Sequence, residues 1–490
     1  MELLDKDLIS LQETRNLIAK AKKAQEIYKT FSQEKVDSIV KAVAEAGEKE
    51  AVRLAKMAWE ETGFGKWQDK VVKNTFGSRV VYENIKDLKT IGIINENKEK
   101  RYFEVGVPVG VVAGLIPSTN PTSTTMYKTL ISLKAGNAIV VSPHPNAKNC
   151  IIETARILNE AAVKAGAPEG LIGCITVPSL QGTNELMTHK DTSLILATGG
   201  EAMVKAAYSS GTPAIGVGPG NGPAFIHRSA DVKLAVKRIL DSKTFDNGVI
   251  CASEQSVVVE KDMKEEVKAE LIRQGAYFLN QEESEKLGRF ILRANGTMNP
   301  QIVGKDVQTL ADMAGLNVPA GSRVLISEQT TVGKNNPYSR EKLTTILAFY
   351  TVNDIEEAIK LSTEILMNEG KGHTLVLHCE DESIIKTFGL RIPVSRLLVN
   401  TPGALGGIGG STNLVPALTL GCGAVGGSAT SDNVGPMNLI NIKRVACGVR
   451  ELEDLKGTSN VENTNCESGI SSAQLELIIK KVVEQLSTLK

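Results

Sequence analysis

Residues Ile116–Pro145, IPSTNPTSTTMYKTLISLKAGNAIVVSPHP, decide the fold. An apolar strand ends at Ile116, and a polar loop of Pro, Ser, Thr and Asn follows. A helix is predicted from about Ser123 to Leu133 and a second strand over Ala138–Ser142. Strand, loop, helix and strand in that order build a parallel sheet covered by helices, so the fold class is α/β. Such sheets bind ligands beyond the carboxyl ends of their strands. Those ends carry Pro117–Ser123 and Ser142–Asn146.

Upstream, the first 90 residues read as helices. Ser10 and Glu13 predict a capping box ahead of Leu17 and Ile18, and Thr62-Gly63 predicts a helix end. Arg101–Leu115, RYFEVGVPVGVVAGL, alternates and is β-branched, which predicts strands with a turn or bulge at Gly106 and Pro108. Downstream come a helix over Asn149–Ala165, a strand over Ile172–Val177, a short helix over Thr183–His189 and a strand over Ser193–Ala197. Gly199 and Gly200 then open a helix. Two glycines there admit a phosphate or a ribose, although a plain strand-to-helix turn has the same pattern. Ala214–Ile226, AIGVGPGNGPAFI, brings backbone close to a ligand.

The second half repeats the α/β pattern. Asp231–Lys243 and Asn353–Glu369 are predicted helices, and a glycine turn with His373 leads into a further strand. Thr401–Gly435 is glycine-rich, but Leu414, Val415, Leu418 and Leu420 interrupt it; an ordered loop covering a cleft is expected. Leu439–Val449 is a late strand. Thr458–Ser468 reads as a polar linker, and Ile470–Leu489 as an amphipathic helix. In that helix Leu475, Ile479, Val482, Leu486 and Leu489 recur at four-three spacing. It is expected to dock on another body, or to pack on this chain or a sister subunit.

The composition limits function. The chain has 490 residues, enough for two or three domains. Lys+Arg and Asp+Glu are 56 each, so the formal net charge is +0, and nucleic-acid binding has no electrostatic basis. Seven scattered cysteines without a CxxC pair speak against a disulfide framework or a metal site, and for a reducing cytoplasm. The first residues lack the apolar core of a secretory signal. No apolar run is long enough to predict a membrane span.

One cysteine stands apart. In Thr244–Glu260, TFDNGVICASEQSVVVE, Cys251 lies between the turn at Asn247-Gly248 and the apolar run Val257–Val259, which reads as a buried strand. A reactive thiol can be held there at a cleft. A buried, inert thiol fits the same pattern, because reactivity depends on surroundings that the stretch does not contain.

Three blocks carry a family resemblance: IPSTNPTSTTMYKTLISLKAGNAIVVSPHP, FDNGVICASEQSVVVE and LTLGCGAVGGSATSDNVGPMNLIN. They resemble the CoA-acylating branch of the aldehyde dehydrogenase superfamily over roughly residues 10 to 450. That branch includes the aldehyde dehydrogenase half of bifunctional aldehyde–alcohol dehydrogenases and the acetaldehyde or propionaldehyde dehydrogenases of bacterial microcompartments. The resemblance implies a Rossmann-like cofactor domain (1–100 and 113–245), an α/β catalytic domain (246–435) and a small β oligomerisation arm (101–112 and 436–450). A linker (451–469) and the terminal helix (470–490) follow. It implies NAD as cofactor, coenzyme A as co-substrate, a homo-oligomer (dimer or tetramer), and a cytoplasmic enzyme packaged with a microcompartment shell protein through Ile470–Leu489.

The same resemblance assigns residues. Cys251 would be the nucleophile and Asn120 an oxyanion donor; by itself Asn120 reads as a turn residue before Pro121. His373 would bind coenzyme A or assist proton transfer. Ser118, Thr119, Pro121, Thr122 and Ser123 would lie along the nicotinamide. Ser142 and His144 would flank the adenosine ribose, and Gly199 and Gly200 the pyrophosphate. Gly218 would lie near the nicotinamide, Glu341 would hold its ribose, and Leu420 would belong to the closing loop. Hydrolytic members carry a Glu that activates water; the corresponding stretch here, Gly216–Asn221, has no acid. Pro143-His144-Pro145 replaces the acid that usually selects NAD, so NAD and NADP stay open. The bifunctional relatives continue into an iron-dependent alcohol dehydrogenase, an activity this chain is expected to lack. An acyl-phosphate reductase of the same fold and a catalytically silent shell component are the rival readings.

Overall fold

A computed structural model describes residues 5–456 and, beyond them, residues 473, 476, 477, 480 and 481. The predicted linker Thr458–Ser468 and the stripe residues Leu475, Ile479, Val482, Leu486 and Leu489 lie outside the described residues. The strands in chain order are β1 (Gly92–Asn97), β2 (Tyr102–Pro108), β3 (Val111–Ile116), β4 (Ala138–Pro143), β5 (Ile172–Cys174), β6 (Thr192–Thr198), β7 (Ala214–Val217) and β8 (Gly222–Ile226). Then come β9 (Glu254–Glu260), β10 (Ala276–Phe278), β11 (Val324–Glu328), β12 (Ile346–Val352), β13 (Gly372–His378), β14 (Val394–Val399) and β15 (Ile440–Ala446).

The chain forms two units, one of residues 1–95 and 104–443, the other of residues 96–103 and 444–490. The larger unit holds two parallel sheets. The first runs β5-β4-β3-β6-β7, every neighbouring pair parallel. The chain winds from β3 outward to β5, then returns to the other side of β3 as β6. The gap between the ends of β3 and β6 is therefore the switch point at which such sheets bind ligands. Lys128, buried in the helix Pro121–Lys134, ties the two ends together by donating to the Leu115 carbonyl (2.7 Å) and the Leu196 carbonyl (2.8 Å).

The N-terminal helices cover this sheet. In Gln33–Lys49 the buried residues Val36, Ile39, Val40, Val43 and Gly47 fall at helical three-four spacing, and Ser32 caps the start. The predicted capping box at Ser10 is not formed. The first helix is Lys6–Tyr28, capped by Asp5, and Ser10 is buried inside it. The Glu13 carboxylate instead accepts the Thr176 and Val177 N–H groups (2.9 and 3.0 Å).

The second sheet runs β10-β11-β12-β9-β8-β13-β14 and is also parallel throughout. It begins earlier than the expected boundary at residue 246. The chain leaves the first sheet at Val217 and enters the second at Gly222. The helix Val232–Thr244 then packs Val236, Ile239 and Leu240 with Ile226, Val257 and Val259 of the second sheet. Strands β1, β2 and β15 make a separate three-stranded sheet. The expected arm segment 101–112 differs from it in two ways: Val111 and Val112 are fully buried in β3 of the first sheet, and β1 is an additional strand. In the smaller unit the Cys447 N–H donates to the Arg101 carbonyl at 3.0 Å. Among the described residues, no helix is long and apolar enough to cross a membrane.

Candidate active site

The carboxyl ends of β3, β4 and β6 and the segments leading into β8 and β9 line a cavity of about 580 Å³. Its size is that of a small-molecule or cofactor site. Eleven residues singled out in the sequence line it: Ser118, Thr119 and Asn120 after β3, Ser142 and His144 at the end of β4, Gly199 and Gly200 after β6, Gly218 after β7, then Cys251, Glu341 and Leu420. Four do not. Pro121, Thr122 and Ser123 form the buried first turn of the helix Pro121–Lys134, where the Thr122 hydroxyl donates to Asn74 Oδ1 (2.7 Å). His373 lies behind the wall.

The wall along the first sheet is neutral. The Ser142 and Thr183 hydroxyls are hydrogen-bonded at 2.9 Å, and burial lowers the His144 pKa while its Nδ1 accepts the Asn146 N–H (3.1 Å). Gly200 precedes the helix Glu201–Ser209 without a side-chain cap, and the Glu201 and Ala202 N–H groups have no protein acceptor among the described residues, which suits an anion. A Cβ built on Gly200 or on Gly218 would meet no atom within 4 Å, so both backbones border open space. These features fit a dinucleotide: amides for its pyrophosphate, hydroxyls for its ribose, apolar walls for its bases.

The wall along the second sheet carries the thiol. Asp246, Asn247 and Gly248 all adopt left-handed backbone conformations (φ 48°, 51° and 77°), which makes the chain turn sharply before Cys251 enters the cavity ahead of β9. Burial pushes the Cys251 thiol up to about 12, the Glu341 carboxylate and Cys422 add to the shift, and the Arg396 guanidinium opposes it. Beyond its own side chain, the Cys251 N–H finds no acceptor among the described residues. Asn120 Oδ1 accepts a hydrogen bond from Lys73 Nζ at 2.7 Å. An ammonium only donates, so it faces the amide oxygen and leaves the Asn120 NH₂ turned away from it.

Glu341 is the one charged residue among those lining the cavity. It accepts the Gly220 N–H at 2.8 Å, and burial pushes it up to about 8. Gly220 separates the cavity from His373. A Cβ on Gly220 would overlap the Cys251 carbonyl and press on His373 Cε1, so only glycine fits. His373 is fully buried, its Nδ1 shares a hydrogen bond with the Thr374 hydroxyl (2.8 Å), and its Nε2 has no partner among the described residues. Burial, helped by Arg396, lowers its pKa to about 3, so the ring is neutral at physiological pH.

Sequence reasoning missed other residues. Ile408 joins Leu420 and the expected loop residue Leu418 in the cavity wall, and Pro178, Ser179 and Leu180 line the cavity as well. Lys70, Lys73 and Asp246 are buried together beneath Asn120. Nothing in VVKNT distinguishes Lys73 from a lysine on a solvated helix face.

A thiol thus lines a cavity beside the strand ends of two parallel α/β sheets. The chain belongs to the aldehyde dehydrogenase family, whose pattern it matches over residues 7–338. It is 46% identical over 442 residues to the bifunctional aldehyde-alcohol dehydrogenase AdhE of Escherichia coli, covering 89% of this chain and 50% of that one. The chain thus spans about half the length of the bifunctional relatives it matches. A probable aldehyde dehydrogenase from Listeria monocytogenes superposes with a TM-score of 0.91 at 68% identity, over 92% of this chain and 100% of that one. An acetylating aldehyde dehydrogenase from Geobacillus thermoglucosidasius gives 0.90 at 54% identity, over 92% and 99%. A propionaldehyde dehydrogenase from a Clostridium phytofermentans fucose utilisation microcompartment gives 0.81 at 28% identity, over 89% and 97%.

Proposed function

We propose that this protein is a CoA-acylating aldehyde dehydrogenase. It oxidises a short aldehyde, acetaldehyde or propionaldehyde, to the acyl-CoA with NAD as acceptor. One observation carries the reading: the loop 216–221, where hydrolytic members carry the Glu that activates water, supplies no acid beside Cys251, and the single acid lining the cavity, Glu341, accepts the Gly220 N–H.

The residues then act as follows. Cys251 Sγ, as thiolate, adds to the aldehyde carbon, and the carbonyl π pair moves to oxygen. The Asn120 NH₂ and the Cys251 N–H are the donors available to that oxyanion. As the carbonyl re-forms a hydride leaves the carbon, and NAD, held by the cavity residues, would supply its acceptor. Cys251 is left as an acyl thioester. Water without a positioned base attacks it slowly. A thiol ionises near pH 8.5 and needs far less help. Coenzyme A therefore adds its sulfur to the acyl carbon, and the Cys251 thiolate leaves.

Gly199 and Gly200 would hold the pyrophosphate, Ser142 and His144 the adenosine ribose, and Glu341 the nicotinamide ribose. Ser118, Thr119 and Gly218 would border the nicotinamide, with Leu420 as part of the lid. Pro121, Thr122 and Ser123 serve this loop by anchoring it from the helix. For His373, the neutral buried ring supports a packing role behind Gly220 rather than proton transfer.

The assignment is tested by mass spectrometry of the protein after incubation with acetyl-CoA. A gain of one acetyl group on the Cys251 peptide, absent in Cys251→Ala, is expected. An unmodified Cys251 with acylation elsewhere would refute it. The acetylating relative supports coenzyme A over phosphate as the acceptor.

Two wider readings complete the proposal. Exposed Ile93, Ile442 and Val445 on β1 and β15 support a subunit contact through that sheet. The microcompartment relative, with the apolar spacing of Ile470–Leu489, supports packaging with a shell protein. Deleting residues 470–490 is expected to leave turnover intact and to abolish co-purification with shells.

A further inference from the structure

Outside the proposed cofactor and substrate contacts, a cluster of buried charge lies under Asn120. Lys73 Nζ, 2% exposed, donates to three acceptors at once: Asn120 Oδ1 (2.7 Å), Asp246 Oδ2 (2.6 Å) and the Val249 carbonyl (2.6 Å). Asp246, fully buried, also takes Lys70 Nζ (2.9 Å) on the same oxygen, and its Oδ1 takes the Lys66 N–H (2.8 Å). A Cβ added to Gly65 would collide with this carboxylate, so the neighbouring chain is built to admit it. Two buried ammonium groups on one carboxylate are a poor device for stability, since desolvation opposes the Coulombic gain. The arrangement calls for another explanation.

We propose that Lys73, anchored by Asp246, is a positioning residue for the reaction at Cys251: it locks the Asn120 amide with its NH₂ toward the cavity and tethers the Val249 carbonyl two residues before the nucleophile. The proposal rests on reading Asn120 as the oxyanion donor and Cys251 as the nucleophile. Asn120 makes no helix-capping bond, and its NH₂ has no protein acceptor among the described residues. Without Lys73 the amide can turn over and present its oxygen to the developing negative charge. The Val249 tether acts on the same geometry from the other side. The two oxyanion donors, on separate elements, thus share one support.

The device is sensitive to protonation. An ammonium has three N–H groups for its three acceptors, and a neutral amine has two. Burial lowers the Lys73 pKa to about 8; Lys70 lowers it further, while Asp246 and Asp69 oppose the shift. The lock is complete below that pH and loses a bond above it.

The test measures kcat and KM for acetaldehyde, with NAD and coenzyme A saturating, from pH 6.5 to 9.5. The wild type, Asn120→Ala, Lys73→Met, Lys70→Met and the Asn120→Ala/Lys73→Met double variant are compared. Lys73→Met is expected to lower kcat by about 10² with KM changed less than about threefold, as for loss of an oxyanion donor. The double variant is expected to fall no further than Asn120→Ala within about twofold. Lys70→Met, which loses the bond to Asp246 and a longer one to the Thr119 carbonyl (3.3 Å) but none to the Asn120 side chain, is expected to lose at least tenfold less than Lys73→Met. A falling limb of kcat near pH 8 in the wild type is expected to vanish in Asn120→Ala. That comparison needs no lysine variant, so it decides the matter if Lys73→Met does not fold. Multiplicative losses in the double variant, an equal loss in Lys70→Met, or a limb that persists in Asn120→Ala would each overturn the proposal. A wild type with no CoA-dependent NADH formation would overturn the acyl-transfer reading and this proposal with it.

Discussion

At the scale of single residues, the central quantity is the charge on one sulfur. With its pKa pushed up to about 12, Cys251 is almost wholly protonated at neutral pH. The folded protein therefore holds a mostly protonated thiol, and positive charge entering the cavity favours the thiolate. Since the anion is the nucleophile, alkylation of Cys251 by iodoacetamide is expected to rise about tenfold per pH unit up to pH 10 without a plateau. Added NAD, whose nicotinamide ring is cationic, is expected to raise the rate at pH 7.5. Peptide-level mass spectrometry follows Cys251 apart from the exposed Cys447. A plateau near pH 8 without NAD would contradict the sheltered thiol. The identity of Cys251 as the residue to watch was legible in the sequence, through its turn and the strand behind it. Its state was not, because Glu341, Arg396 and Cys422 approach it from 90 to 171 positions away in sequence.

At the scale of elements, the short crossing from β7 to β8 organises the site. Residues Gly218–Asn221 leave one sheet and enter the other, and Gly218 and Pro219 line the cavity on the way. Gly220 holds Glu341 on one side and leaves no room for a side chain against Cys251. Gly220→Ala is expected to lower kcat more than tenfold and to destabilise the fold by about 1–3 kcal/mol, the usual cost of overpacking. Thermal melting and steady-state kinetics check this; an unchanged melting temperature and rate would show that the loop yields. The glycine richness of AIGVGPGNGPAFI was enough to predict close backbone approach. It could not reveal that the loop joins two sheets, because β7 and β8 look alike in sequence and differ only in their partners. The strand–loop–helix–strand unit at Ile116–Pro145 was legible because each element has its own local signal. The strand β1 was not: GIINEN is half polar, exposed, and extended only through its pairing in the three-stranded sheet. Lys73 was invisible for the same reason, since its acceptors lie 47, 173 and 176 residues away.

At the scale of the molecule, both parallel sheets contribute to the cavity. The first offers strand carboxyl ends, Asn120 and helix amides suited to a dinucleotide; the thiol precedes β9 of the second. The three-stranded sheet leaves apolar side chains exposed at Ile93, Ile442 and Val445. Replacing Ile442 and Val445 by Lys is expected to shift the protein to a smaller species in light scattering; an unchanged mass would remove the sheet from the subunit contact.

The most direct test of the whole account is the fate of the acyl group. The purified protein is supplied with acetaldehyde and NAD, with and without coenzyme A, and NADH, acetyl-CoA and acetate are quantified together. The account predicts NADH and acetyl-CoA in equal amounts with coenzyme A, and neither sustained NADH nor acetate without it. Acetate formed at an undiminished rate in the absence of coenzyme A would contradict it.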